Sequence, residues 1–145
     1  MTEEGVKNSS AKIYPKGSLL VAMYGQGATR GRTAKLGIDA ATNQACAVLY
    51  DLSPQIETDF LWYFLMSQYD AMRSLASGNN QPNLNAEMIA NLKIPLPPLR
   101  VQRDILARVA SGRAAIARER EAAERIEKEI TKDIEAMILG TQKTK

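Results

Sequence analysis

Apolar and polar positions follow two different rhythms along this chain. Through residue 98 short apolar runs alternate with breaks rich in glycine, proline and amides. From Val101 to Ile138 apolar or small residues recur in steps of 3, 4 or 7, with no proline and one glycine, Gly112. Val101, Ile105, Val109, Gly112, Ile116, Ala123, Ile126, Ile130, Ile134 and Met137 fall within a stripe about 100° wide when placed on a helical wheel. Arginine, glutamate and lysine occupy the other side. A helix of that span is on the order of 55 Å long, too long for a small preceding domain to cover. Its stripe therefore calls for a partner helix.

The first part reads as short elements. Gly17 to Tyr24 is expected as a buried strand, and Arg32 to Leu36 as a half-exposed one. Ala45 to Tyr50 is apolar throughout and is expected as a third, central strand. A helix capped by Thr58 or Asp59 should run to about Leu75. Phe60, Leu61, Phe64, Leu65 and Met72 would form its buried face, with Trp62, Tyr63 and Tyr69 at its edges. Ala76 to Asn85 is a loop, and Asn85 caps a short helix through Leu92. Lys93 to Leu96 reads as a brief strand stopped by Pro97 and Pro98, which can also open the long helix. The fold class is α+β: a small mixed domain over residues 1–98, a long amphipathic helix over 99–140 as a coiled-coil spacer, and a disordered tail over 141–145.

Composition narrows the chemistry. The chain contains no histidine, which removes histidine-based triads and acid–base relays. A single cysteine, Cys46, leaves neither a disulfide framework nor a credible zinc set, and it fits a reducing cytoplasm. No cofactor and no metal are expected, and no apolar run is long enough to cross a bilayer. Net charge is +3, and the excess lies mainly in the first half, where Lys7, Lys12, Lys16, Arg30, Arg32 and Lys35 face Glu3, Glu4 and Asp39. That imbalance leans toward a polyanion.

Two loops carry candidate contacts. Gly25 to Thr33 is glycine-rich but fits neither phosphate-loop frame: Gln26 stands where the first glycine of one is needed, and Arg32 replaces its lysine. It is either a plain turn between strands or a loop that meets nucleic acid. In the second case its glycines allow close approach, Arg30 and Arg32 meet phosphates or guanine edges, and Gln26 and Thr29 meet other base edges. Asn79-Asn80-Gln81-Pro82-Asn83 lacks the second proline and the aromatic ring of a base-flipping methyltransferase motif. Its amides can bond their own backbone in turns or contact DNA. No frame for an enzyme emerges.

Four ordered blocks then form one pattern. They are Met23-Tyr24-Gly25-Gln26-Gly27 with Thr29-Arg30-Gly31-Arg32; Ala41-Thr42-Asn43-Gln44-Ala45-Cys46; Asn80-Gln81-Pro82-Asn83-Leu84; and Ile94-Pro95-Leu96-Pro97-Pro98-Leu99 ahead of Gln102. Together they closely resemble the specificity subunit of type I restriction–modification systems. Val101 stands where that family often has an acidic residue before the glutamine.

The resemblance implies the C-terminal part of one target-recognition domain followed by one spacer helix. It implies a non-catalytic component that reads double-stranded DNA and assembles with methyltransferase and restriction subunits. DNA-contacting residues on this pattern are Tyr24, Gln26, Thr29, Arg30, Arg32, Lys35, Asn80, Gln81 and Asn83. The stripe on the helix would make a homodimer or dock on a methyltransferase. The alternative is a truncated assembly or regulatory protein that acts through its helix and reads no DNA.

Overall fold

The structure, a computed structural model, describes residues 12–25, 28–77 and 83–140. The chain divides into two compact units, Met1–Arg103 and Asp104–Lys145. The first is a mixed α+β unit; the second is helical.

Five short strands build the first unit: β1 (Ile13–Tyr14), β2 (Leu19–Ala22), β3 (Thr33–Lys35), β4 (Ala40–Ala41) and β5 (Cys46–Leu49). The strands β3, β2 and β5 form an antiparallel sheet in that order, while β1 and β4 pair separately. Leu20 lies opposite Ala34 on one side and Val48 on the other. The middle strand is therefore β2, and the expectation of a central β5 is corrected. The cause lies in the side chains. Leu19 and Val21 of β2 are fully buried, whereas all four residues of β5 are only half covered. A short apolar run reports hydrophobicity, not position in the sheet. The β1–β4 pair, two residues per strand, carried too few positions to be read from alternation.

Two helices pack on the sheet: α1 (Thr58–Ser67) and α2 (Tyr69–Ser77). A single helix was expected here. Gln68 interrupts it by closing α1, its N–H reaching the carbonyls of Phe64 and Leu65, while its own carbonyl accepts from Met72. No proline or glycine marks the break. Leu61 and Leu65 of α1 and Met72 of α2 join Leu19, Val21, Met23, Leu84 and Ile89 in one core, with Phe64 and Trp62 at its margin. Neither Thr58 nor Asp59 is the cap: Glu57 occupies that position and makes no side-chain cap bond.

The short helix α3 (Ala86–Ala90) is capped as expected, the Asn85 side chain accepting from the Met88 N–H at 2.8 Å. Residues 93–96 are not a strand. Pro95 removes a donor from a segment only four residues long, so no ladder forms; Ile94 instead packs half-buried against the core.

The long helix, α4 (Leu99–Ile138), starts directly after Pro98, whose carbonyl accepts from the N–H groups of Val101 and Gln102. At 40 residues it is about 60 Å long. One polar side chain secures its first turn. Gln102 is 0% exposed. Its Oε1 accepts from the Glu57 N–H at 2.8 Å, and its Nε2 donates to the carbonyls of Gln55 and Pro97 at 2.9 and 2.8 Å. The amide thus satisfies the donor left open at the α1 cap position. Beside it, Arg103 Nε bonds Glu57 Oε1 at 2.6 Å, an exposed pair worth under about 1 kcal/mol.

Candidate nucleic-acid interface

The loop joining β2 to β3 is shaped by two glycines. Gly25 has φ +118°, and a Cβ there would stand 2.9 Å from Thr29 Cβ, so a side chain cannot be fitted. Gly31 has φ +83° and lies buried against Tyr69 and Arg73 of α2. The ladder continues into the loop, with the Gly31 N–H on the Ala22 carbonyl and the Ala22 N–H on the Arg32 carbonyl, both at 2.8 Å.

Side chains of α2 then brace it. Tyr69 donates its hydroxyl to the Ala28 carbonyl at 2.9 Å, and Arg32 Nε donates to the same carbonyl at 3.0 Å. Arg73 Nη1 donates to the Arg30 carbonyl at 3.2 Å. The Arg32 and Arg73 guanidiniums lie 5.5 and 5.3 Å from the centre of the Tyr69 ring. The segment from Ala28 to Arg32 is thus a fixed platform. Its carbonyl dipoles are turned to internal donors, which leaves the guanidiniums to set the local charge.

The expected contact residues fall unevenly on this platform. Thr29 and Arg32 are exposed on it, and Tyr24 is exposed where the loop leaves β2. Arg30 is half-buried, and its Nε is enclosed without a hydrogen-bond partner among the described residues. Lys35 is already engaged by Asp59, and its ammonium sits 5.3 Å from the Trp62 ring. Asn83 is exposed, and the Leu84 N–H on the Met23 carbonyl at 3.1 Å brings its segment beside the start of the loop. Gln26, Asn80 and Gln81 lie outside the described residues.

Sequence reasoning missed Arg73 and placed Tyr69 only at a helix edge. The spacing i, i+4 puts the two on one helix face, but nothing in the sequence aims that face at the loop. A smaller cationic group lies at the other end of the sheet. Lys12 donates to the Tyr50 hydroxyl and sits 4.3 Å from that ring, while Tyr14 meets Tyr50 edge-on at 5.1 Å. The hydrogen bond to Tyr50 raises the Lys12 pKa above its usual value.

On the long helix, Ile105, Ile116, Ile126, Ile130, Ile134 and Met137 keep between 38% and 58% of their surface exposed. Val101 and Ala123 are exposed too, and Val109 is half-buried. Among the described residues no cluster of acidic, cysteine or histidine side chains could hold a metal ion, and no helix is long and apolar enough to cross a membrane.

The loop between β2 and β3 is thus a braced basic segment beside the Tyr69 ring. The family model described as the type I restriction modification DNA specificity domain matches residues 1–128. The chain belongs to this family. Type I specificity domains are the DNA-recognition component of such systems and are not catalytic. A relative, the type I restriction enzyme MjaVIII specificity subunit of Methanocaldococcus jannaschii, is 34% identical over 95 residues, or 64% of this chain. The matched stretch is 22% of that relative, so the chain spans about a fifth of its length. The purified type I specificity chain, incubated with S-adenosylmethionine and DNA, is expected to transfer no methyl group. Methylated duplex in that assay would contradict the reading.

Proposed function

We propose that this chain recognises a DNA sequence as part of the specificity subunit of a type I restriction–modification complex. The observation that carries the reading is the braced basic loop around Arg30 and Arg32, its Ala28 and Arg30 carbonyls held by Tyr69 and Arg73, in a chain of the type I specificity family. The contact set is Tyr24, Gln26, Thr29, Arg30, Arg32, Lys35, Asn80, Gln81 and Asn83, with residues 1–98 forming the recognition part. Methyltransferase and restriction subunits supply the chemistry, and the complex works in the cytoplasm, where Cys46 stays reduced.

The helix over residues 99–140 is the assembly element, and its occupant is the same helix of a second copy, antiparallel. Charge supports this orientation. Leu99 to Arg118 carries five arginines against one aspartate, while Glu119 to Ile138 carries seven acidic side chains against four basic ones. Antiparallel pairing sets the basic half of each helix against the acidic half of the other. It also opposes the two helix dipoles. Parallel pairing would align like with like. The partner covers the isoleucine stripe, which has no cover of its own.

Alanine at Arg30 or Arg32 tests the loop. A lost phosphate contact weakens binding to every duplex alike and lowers the salt slope by about one unit. A lost base contact costs about 1–3 kcal/mol on the target duplex only. Titrations of target and scrambled duplexes at several salt concentrations separate the two. Parental binding by both variants on both duplexes would reduce the loop to a plain turn.

A further inference from the structure

Within the braced loop one side chain is held at every point but its tip. Arg32 follows Gly31, whose φ of +83° sets a turn that favours glycine. The Arg32 N–H donates to the Thr29 carbonyl at 3.0 Å, and the Arg32 carbonyl accepts from the Ala22 N–H at 2.8 Å. Its Nε donates to the Ala28 carbonyl at 3.0 Å, where the Tyr69 hydroxyl also donates at 2.9 Å. The guanidinium carbon lies 5.5 Å from the centre of the Tyr69 ring, within the range of cation–π attraction. The two terminal amino groups make no ion pair among the described residues. Arg32 is exposed, and among the described residues it is the only charged side chain lining an open space of about 290 Å³ shared with Gly31, Thr33, Met66 and Tyr69.

We infer that Arg32 reads one guanine in the major groove of a DNA duplex and that Tyr69 is its positioning residue. This role rests on the DNA-recognition reading above and separates Arg32 from Arg30, whose Nε is enclosed. With Nε engaged, the guanidinium is left with an end-on fork of two donors. Guanine offers the matching pair, O6 and N7, two acceptors on one edge. Adenine puts its N6 amino donor where guanine has O6, so one arm of the fork meets a donor. Cytosine presents an amino donor, and thymine one acceptor beside a methyl group. A phosphate accepts a cation from many directions and carries no sequence information, so a fixed direction adds little there. Telling one base from another is what needs the fork held still. Tyr69 holds it twice: its hydroxyl shares the Ala28 carbonyl that orients Nε, and its ring attracts the guanidinium. Side-chain freedom already lost in the free chain is not lost again on binding.

Selection from a random duplex pool by the full chain supplies the probe. The enriched duplex is remade with 7-deazaguanine, which lacks the N7 acceptor, at each guanine in turn. Fluorescence anisotropy should show the parent losing about tenfold in affinity at the guanine that Arg32 reads. Arg32→Lys keeps the charge but not the fork. It should keep the parental salt slope and bind a scrambled duplex within about twofold, yet lose about tenfold on the enriched duplex and ignore the 7-deazaguanine. Selection repeated with Tyr69→Leu should relax that one base position and no other, whereas Tyr69→Phe, which keeps the ring, should retain the guanine. Thermal melts accompany every variant, and the 7-deazaguanine duplexes test the parent itself, so a variant that melts early does not remove the test. A parent indifferent to 7-deazaguanine at every position overturns the guanine contact while leaving DNA recognition standing. So does an Arg32→Gln chain that binds all duplexes more weakly alike, with a salt slope lower by about one unit, which marks a phosphate contact. A Tyr69→Leu chain that selects the parental sequence overturns the positioning role. A parent that enriches no sequence overturns the recognition reading, and the guanine contact with it.

Discussion

Replacing Ile126 and Ile130 together by aspartate should convert the assembled chain to monomer. Both residues lie in the acidic half of α4, each a little over half exposed in the single chain. In the proposed antiparallel pair the basic half of the partner helix would cover them. An unpaired carboxylate buried there costs several kcal/mol, and a symmetric dimer would bury four of them. Even after allowance for arginines of the facing half, which can meet part of the new charge, the loss exceeds what exposed ion pairs along the rim return. Sedimentation of parent and double variant at matched concentration reads the outcome as mass. A variant that keeps the parental mass removes the stripe as the interface. A parent that is already monomeric shifts the stripe to a heterologous helix partner.

Gln102→Leu is expected to destabilise the first unit by about 3–5 kcal/mol, more than any exposed charge removal nearby. The substitution keeps most of the side-chain volume but strands three backbone groups: the Glu57 N–H and the carbonyls of Gln55 and Pro97. Each costs about 1–3 kcal/mol when enclosed without a partner. A domain of this size has about 5–15 kcal/mol in total, so the loss is a large fraction. The neighbouring Arg103–Glu57 pair is exposed, and Arg103→Ala should cost under about 1 kcal/mol. Urea melts of the two variants rank these effects. A Gln102→Leu midpoint close to that of Arg103→Ala would show that the buried amide is dispensable.

The long helix was the most legible part of the sequence, since ten apolar or small positions over ten turns leave one reading only. The Asn85 cap was equally plain, because asparagine before a short apolar run offers an acceptor where free N–H groups need one. Central and edge strands were not separable, because three or four apolar residues fit either place. The break at Gln68 was invisible for a different reason. An ordinary residue carries it, with neither proline nor glycine beside it. Within the candidate site, Arg30 and Arg32 stood out beside glycines. Arg73 did not, since only the fold brings α2 under the loop. Gln102 was visible as part of a family pattern, but its three hydrogen bonds join positions 45 and 47 residues away as well as its own segment. No local period encodes such a contact.

Sequence recognition is the central claim, and selection of bound duplexes from a random pool tests it most directly. The chain is mixed with the pool, bound duplexes are recovered and amplified through several rounds, and the survivors are sequenced. A dimer related by a two-fold axis presents the same reading surface twice, so the account predicts enrichment of an inverted repeat with identical halves. Alanine at the base-reading loop residues should blur that repeat. Retention of duplexes without enrichment of any sequence, round after round, would contradict the account and leave the helix as the chain's working part.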